Sequence, residues 1–267
     1  MFNDIPRRQL LLHSFLLIAT LVSTFLAGGL AFGVTLVLIL GAHEMGHYLM
    51  TRKWGVSATL PYFIPAPPPF IAGTFGAFIK MRSPIPNRRV LLEIGAAGPI
   101  AGFVVCIPAL IIGLTLSEIK EPQFQLGFSF GSSITLSFLT KIILGVSPEN
   151  ADIVLHPIAF AGWIGLFITA LNLLPIGQLD GGHIIYALFE KNYQIISKIT
   201  FIILIPLGYF SWQGWFIWAA IVAVFGFRHP PLIDESIPLT SQDKKVGLIS
   251  IAIFVVTFIP APIIILR

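Results

Sequence analysis

His43, Glu44 and His47 stand in the run His43-Glu44-Met45-Gly46-His47, inside a long apolar stretch. A helix advances about 100° per residue, so two histidines four apart share one face, one turn from each other. Both imidazoles can then reach a single metal ion. Glu44 borders that face and can take a proton from a water held at the ion. The bland alternative is an accidental match, with both histidines merely hydrogen-bonded in a helix bundle. Against it stands the cost of an ionisable side chain at the centre of a membrane helix, roughly 2.5–3.5 kcal/mol for related charges. A bound metal would offset that cost.

A catalytic zinc site usually has three protein ligands and one open position, so a third ligand is needed. Asp180 is the best candidate, in the run from Asn172 through Leu174-Pro175-Ile176-Gly177-Gln178-Leu179-Asp180-Gly181-Gly182-His183. It follows the fourth apolar span where that span returns to the side near His43 and His47. At about 1.5 Å per residue, His47 is roughly 6 Å and His43 roughly 12 Å from the end of their span near Thr51, so the two depths agree. Gly177, Gly181 and Gly182 allow a tight turn around Asp180, and Pro175 can break the preceding helix. Asp180 could equally cap a helix over 182–191. His183 is the second choice as third ligand.

These side chains need elements that hold them in a bilayer. With 56% hydrophobic and 10% charged residues and a mean hydropathy of +0.91, the 267-residue chain is far more apolar than a soluble domain. Spans of about 20 apolar residues are expected at 10–27, 30–51, 90–116, 156–175 and 246–266, with Gly28-Gly29 as the first turn. A hairpin of two short or tilted spans is expected in 195–227, broken around Ser211–Gly214. The expected fold is an all-α polytopic membrane protein. It has six or seven transmembrane helices and a membrane-inserted strand or hairpin between the second and third. It forms a single transmembrane domain over 1–267, with a core at about 30–190 and additional C-terminal helices in 195–267.

The segment Leu60–Pro86 is that insertion. Pro61, Pro65 and Pro67-Pro68-Pro69 forbid a continuous helix, and Gly73–Ile79 has the composition of a short strand. Backbone of this kind survives at membrane depth only when covered by protein or lining a cavity. Ser132–Leu144 is expected as a helix along the membrane surface, in the linker 116–155.

The formal charge of +4 does not point to nucleic acid, because the basic residues sit in short groups between spans. With the N-terminus cytoplasmic and seven spans, all of the 16 lysines and arginines except Lys120, Lys141 and Arg267 fall on the cytoplasmic side. The single cysteine, Cys106, permits neither an intrachain disulfide nor a thiolate metal cluster. Arg7 and Arg8 before the run 10–27 could suggest a signal peptide. The length of that run, the residues at its end and the apolar run that follows at once argue against it.

With these residues in place, the chain resembles the site-2 protease family of intramembrane zinc metalloproteases. The resemblance rests on His43–His47 paired with Leu179-Asp180-Gly181 on two separate spans, on Asn172 and Pro175, and on Gly95-Ala96-Ala97-Gly98-Pro99. It covers most of 30–190. It implies one Zn²⁺ per chain held by His43, His47 and Asp180, Glu44 as catalytic base, and Asn172 helping to hold substrate. Gly73–Ile79, with Gly73, Thr74, Phe75 and Gly76 as its candidate substrate-binding residues, resembles the family's membrane-inserted strand, which pairs with an unwound substrate segment. The implied partners are a transmembrane protein substrate and the lipid bilayer, with a regulatory membrane partner or self-association as further options. The chain looks like a compact form, without the PDZ or nucleotide-sensing domains of some members.

Packing is the expected role of Gly95, Ala96, Ala97, Gly98, Ala101 and Gly102. A solvated or dipole-compensating role is expected for Glu93, and none in catalysis for His13, His156 or His229. A metal transporter would instead spread its ligands through the bilayer, and a non-catalytic scaffold would have no need of Glu44. The expected location is a prokaryotic cell membrane.

Overall fold

A computed structural model describes residues 6–120, 127–147, 152–225 and 232–266. Helix α1 (Arg7–Lys53) contains one residue with non-helical backbone, Gly29 at φ 83°, ψ 177°, a conformation open in practice only to glycine. Nine residues of unbroken helix would separate Thr24 from Gly33 by about 13 Å. Instead a Cβ placed on Gly33 would lie 2.9 Å from Thr24 Oγ1, so the chain reverses at Gly29. The two arms, 7–28 and 30–53, are each about 33–36 Å long, enough to cross a hydrocarbon core of about 30 Å.

After α1 come β1 (Tyr62–Pro65) and β2 (Thr74–Phe78), an antiparallel hairpin with Tyr62 opposite Phe78 and an irregularity between Ile64 and Pro65. It lies along α1. His13 Nδ1 is 3.0 Å from the Pro61 carbonyl near the start of the first arm, and a Cβ on Gly73 would press on the Ser23–Thr24 backbone near its end. The expected insertion between second and third spans is therefore a strand hairpin covered by helix.

Helix α2 (Arg88–Thr115) starts at Asn87, whose side chain accepts from the Val90 N–H at 3.1 Å. β3 (Glu118–Lys120), β4 (Gly127–Phe130), α3 (Ile134–Leu144) and β5 (Asp152–Val154) lead to α4 (Pro157–Asn172). Then follow α5 (Asp180–Phe189), a 3₁₀ turn, α6 (Tyr193–Phe210), α7 (Gly214–Phe225), α8 (Ser241–Thr257) and β6 (Ile263–Leu266). β3 pairs with β5, and β4 with β6, each antiparallel.

The second arm of α1 packs against α2 and α4 around the fully buried Phe32, Leu36, Leu110, Leu114 and Leu166. Outward-facing positions remain apolar, among them Leu11, Phe15, Ile202 and Val224, while Thr20, Thr24, His43, Glu44 and His47 are buried. Apolar outside and polar inside is the arrangement a lipid solvent favours. Among the described residues, three helical stretches are long and apolar enough to cross a bilayer: Arg7–Lys53, Arg88–Thr115 and Asp180–Phe210. Shorter apolar helices occupy 134–144, 157–172 and 214–224.

One expectation about elements needs correction. The last expected span, 246–266, ends as helix at Thr257. Pro260 and Pro262 cannot continue it, and the chain goes on as β6 against β4. The alternative role of Asp180, as cap of the helix after it, is not taken up: that helix has Leu179 at its N-cap position, with no side-chain cap bond, and begins at Asp180 itself. The Asp180 carboxylate is thereby left for another partner.

Candidate metal centre

Three donor atoms from two distant parts of the chain meet at one point. His43 Nε2 lies 3.2 Å and His47 Nε2 3.3 Å from Asp180 Oδ2, and all three lie within 4.8 Å of one another. Donors each about 2.0–2.2 Å from a tetrahedral zinc ion would stand about 3.3 Å apart, so both the spacing and the nitrogen–oxygen chemistry fit such an ion. The histidines are buried and Asp180 is nearly so. His183 contributes no atom to this cluster among the described residues.

The rings are oriented by their surroundings. The Ile94 carbonyl is 2.8 Å from His47 Nδ1 and can only accept, so Nδ1 carries the hydrogen and Nε2 is left bare toward the other donors. Asn172 ends α4 beside His43, its Nδ2 at 3.2 Å from His43 Nε2. Glu44 is buried on the flank of the pair, and the Ile79 backbone, just beyond β2, lies close to its carboxylate.

Asp180 reaches this point because 173–179 folds tightly under it. A Cβ on Gly181 would fall on the Leu173 carbonyl and one on Gly182 on the Gly177 carbonyl, so neither position admits a side chain without moving backbone. Tyr193 Oη donates to the Gly177 carbonyl at 2.7 Å and Ser197 Oγ to that of Pro175 at 3.2 Å, tying the loop to α6. Nothing in the local sequence marked Tyr193 or Ser197, because their role depends on where α6 lies.

His43, Glu44, His47, Asp180 and Asn172 are thus brought together. Gly73, at the start of the strand, is not beside them. Gly73 packs at the level of Ser23–Thr24, which itself faces Gly33, roughly 16 Å along the helix from Glu44. That end of the hairpin lines a pocket of about 310 Å³ with Ser23, Ala27, Pro68 and Phe70. The residue of the insertion that touches the centre is Ile79.

Glu93 is neither solvated nor a simple dipole partner. It accepts from Lys53 Nζ at 2.8 Å, Trp54 Nε1 at 2.9 Å and Arg89 Nε at 3.3 Å, fastening the end of α1 to the first turn of α2 beside Ile94. Arg89 continues the network to Asp243 of α8 at 3.2 Å. His13 pairs with Pro61, and His156 Nδ1 accepts from the Ile158 N–H at 3.3 Å as the cap of α4. His229 lies outside the described residues.

Residues 31–211 match Peptidase family M50. The chain is 30% identical over 238 residues to the "Probable zinc metalloprotease EGY1, chloroplastic" of Arabidopsis thaliana, covering 86% of this chain and 42% of that protein. It is 31% identical over 244 residues to the "Probable zinc metalloprotease EGY2, chloroplastic" of Oryza sativa subsp. indica, covering 87% and 43%. A relative from Arabidopsis thaliana with the EGY2 name is 28% identical over 242 residues, covering 89% and 43%. The chain therefore spans less than half the length of these relatives. The match takes in both ligand runs, with the second arm of α1, α4 and α5 around them, and this chain belongs to peptidase family M50, the site-2 protease family of zinc metalloproteases.

Proposed function

We propose that this chain hydrolyses peptide bonds within the bilayer, in transmembrane segments of membrane-protein substrates, as a step of regulated intramembrane proteolysis. The observation that carries the reading is the convergence of His43, His47 and Asp180 beside a buried glutamate inside a bundle with an apolar exterior. His43, His47 and Asp180 would hold one Zn²⁺. Zinc, when bound, supplies Lewis-acid polarisation of a carbonyl and lowers the pKa of water toward about 7.

The other steps belong to the chain. Glu44 takes a proton from the attacking water as its oxygen bonds to the scissile carbonyl carbon, and returns that proton to the amide nitrogen as the C–N bond breaks. The Ile79 backbone, close to the Glu44 carboxylate, would steady it for both transfers. Asn172, at the end of α4, presents an amide donor where charge develops on the carbonyl oxygen. The hairpin, with Gly73–Gly76 in its β2 half, would receive an unwound substrate segment by strand addition. Its far end engages residues about 16 Å from Glu44, and Ile79 marks the cleavage end.

The chain is read as a multi-pass protein with seven crossings, a cytoplasmic N-terminus and the centre toward the cytoplasmic side, on the distribution of its lysines and arginines. A prokaryotic cell membrane is the compartment proposed for it. The relatives themselves are named as chloroplastic proteins. A regulatory membrane partner or self-association would control access to the site.

The test is metal content and cleavage of a single-span model substrate by the detergent-solubilised protein, wild type beside Glu44→Gln and Asp180→Ala. Support consists of about one zinc per chain and cleavage in wild type, metal without cleavage in Glu44→Gln, and weakened metal binding in Asp180→Ala. Equal cleavage by all three would end the reading.

A further inference from the structure

Helix α2 passes the ligand face of α1 closely enough that side chains do not fit between them. At Gly46 the approach is backbone to backbone, since a Cβ there would fall on the Ala97 carbonyl. Gly113, further along α2, has the same kind of contact, with the Ala159 backbone of α4. Both are ordinary small-residue helix packing.

Gly98 is different. A Cβ built on it would overlap the His47 imidazole, pressing on Nε2, Cδ2 and Cε1. At Gly102, one turn on, the added carbon would stand 3.2 Å from His43 Nδ1 and 3.3 Å from His43 Cβ, tight but within reach of a small adjustment. One turn before Gly98, the Ile94 carbonyl takes the Nδ1 hydrogen of the same His47 ring. The ring cannot retreat easily, because it is buried and its Nε2 faces Asp180.

We propose that Gly98 is a positioning residue of the metal centre: the volume left by its missing Cβ is the volume the His47 imidazole occupies. Ile94 sets the rotation of that ring and Gly98 its reach, so one stretch of α2 aims a ligand carried by α1. The inference rests on the metal reading above, but its decisive measurement does not require bound metal.

Gly98→Ala forces the ring off Asp180 or the helices apart. Metal affinity, read by competition with a chromogenic chelator using Zn²⁺ alone, is expected to fall about 10–100-fold, the range for changes that misorient a ligand. Gly102→Ala should cost less, and Gly113→Ala should lower the melting temperature while leaving affinity in the folded protein unchanged.

The second measurement is a double-mutant cycle on metal-free protein. If Gly98 acts through His47, the drop in melting temperature caused by Gly98→Ala disappears in a His47→Ala background, where the ring is gone. If Gly98→Ala alone does not fold, recovery of folding by His47→Ala supports the same conclusion. An equal drop in both backgrounds, no recovery, or wild-type zinc affinity in Gly98→Ala would overturn it. Wild-type protein that takes up no zinc would defeat the metal reading instead, while the cycle would still report whether Gly98 houses the ring.

Discussion

Glu44 and the three ligands share one small volume, but their removal should separate cleanly in experiment. Glu44→Gln keeps the shape and loses the base, so cleavage should fall by about 10²–10⁴-fold or more with zinc content unchanged. His43→Ala removes a ligand and should lower zinc content and cleavage together, which elemental analysis beside a cleavage assay would show. Asn172→Ala tests the amide beside His43. If it donates to developing charge, turnover drops by about 10²–10³-fold with little change in KM, whereas a rise in KM alone would assign it to substrate binding.

Elements matter because each ligand is aimed by a neighbour. The open end of the hairpin is fastened to the first arm of α1 by His13 at the Pro61 carbonyl, and Ile79, opposite Pro61 in the register, brings that same end to Glu44. His13→Ala leaves a carbonyl short of its partner in a region shielded from water, at a cost of about 1–3 kcal/mol. It should make 60–80 more susceptible to limited proteolysis and lower cleavage; an unchanged proteolysis pattern would show that the hairpin is held by packing alone. The start of α8 is set by a capping box, in which Thr240 and Asp243 bond reciprocally, with Arg89 of α2 alongside. Asp243→Ala should destabilise by about 0.5–2 kcal/mol through the cap. A melting-temperature measurement with zinc content as control would show a loss of stability without loss of metal sites.

For the whole molecule, a metal joining α1 to α5 would also be a staple. Zinc at about 100 times its Kd should stabilise the fold by about 2.7 kcal/mol, so a strong chelator should lower the melting temperature and added zinc restore it. A melting temperature indifferent to chelation and to added zinc would show that the folded chain binds no zinc in preference to the unfolded one. The charge distribution predicts the side on which each loop lies. A cysteine at position 120 should react with an impermeant maleimide added outside intact cells, and one at position 82 only after permeabilisation; the reverse pattern would invert the topology.

Much of this was legible in the chain before folding. The spacing of His43 and His47 determines that they share a helix face, because helical periodicity is a local property. Hydropathy places the helices, and the prolines of 60–86 and the glycines at 28 and 29 mark the breaks, since helix termination depends on backbone chemistry a few residues long. The Leu179-Asp180-Gly181 run pointed to the third ligand through its depth and the glycines around it. Other features depend on which helices cross and how each is rotated. Local sequence could not show that the Ile94 carbonyl orients His47, that Ile79 rather than Gly73 meets Glu44, or that Glu93 gathers three donors. Nor could it show that the missing side chain at Gly98 makes room for a metal ligand rather than only for a neighbouring helix. Apart from the i, i+4 pair of Arg89 and Glu93, those contacts join residues dozens of positions apart, and only the packed bundle decides them.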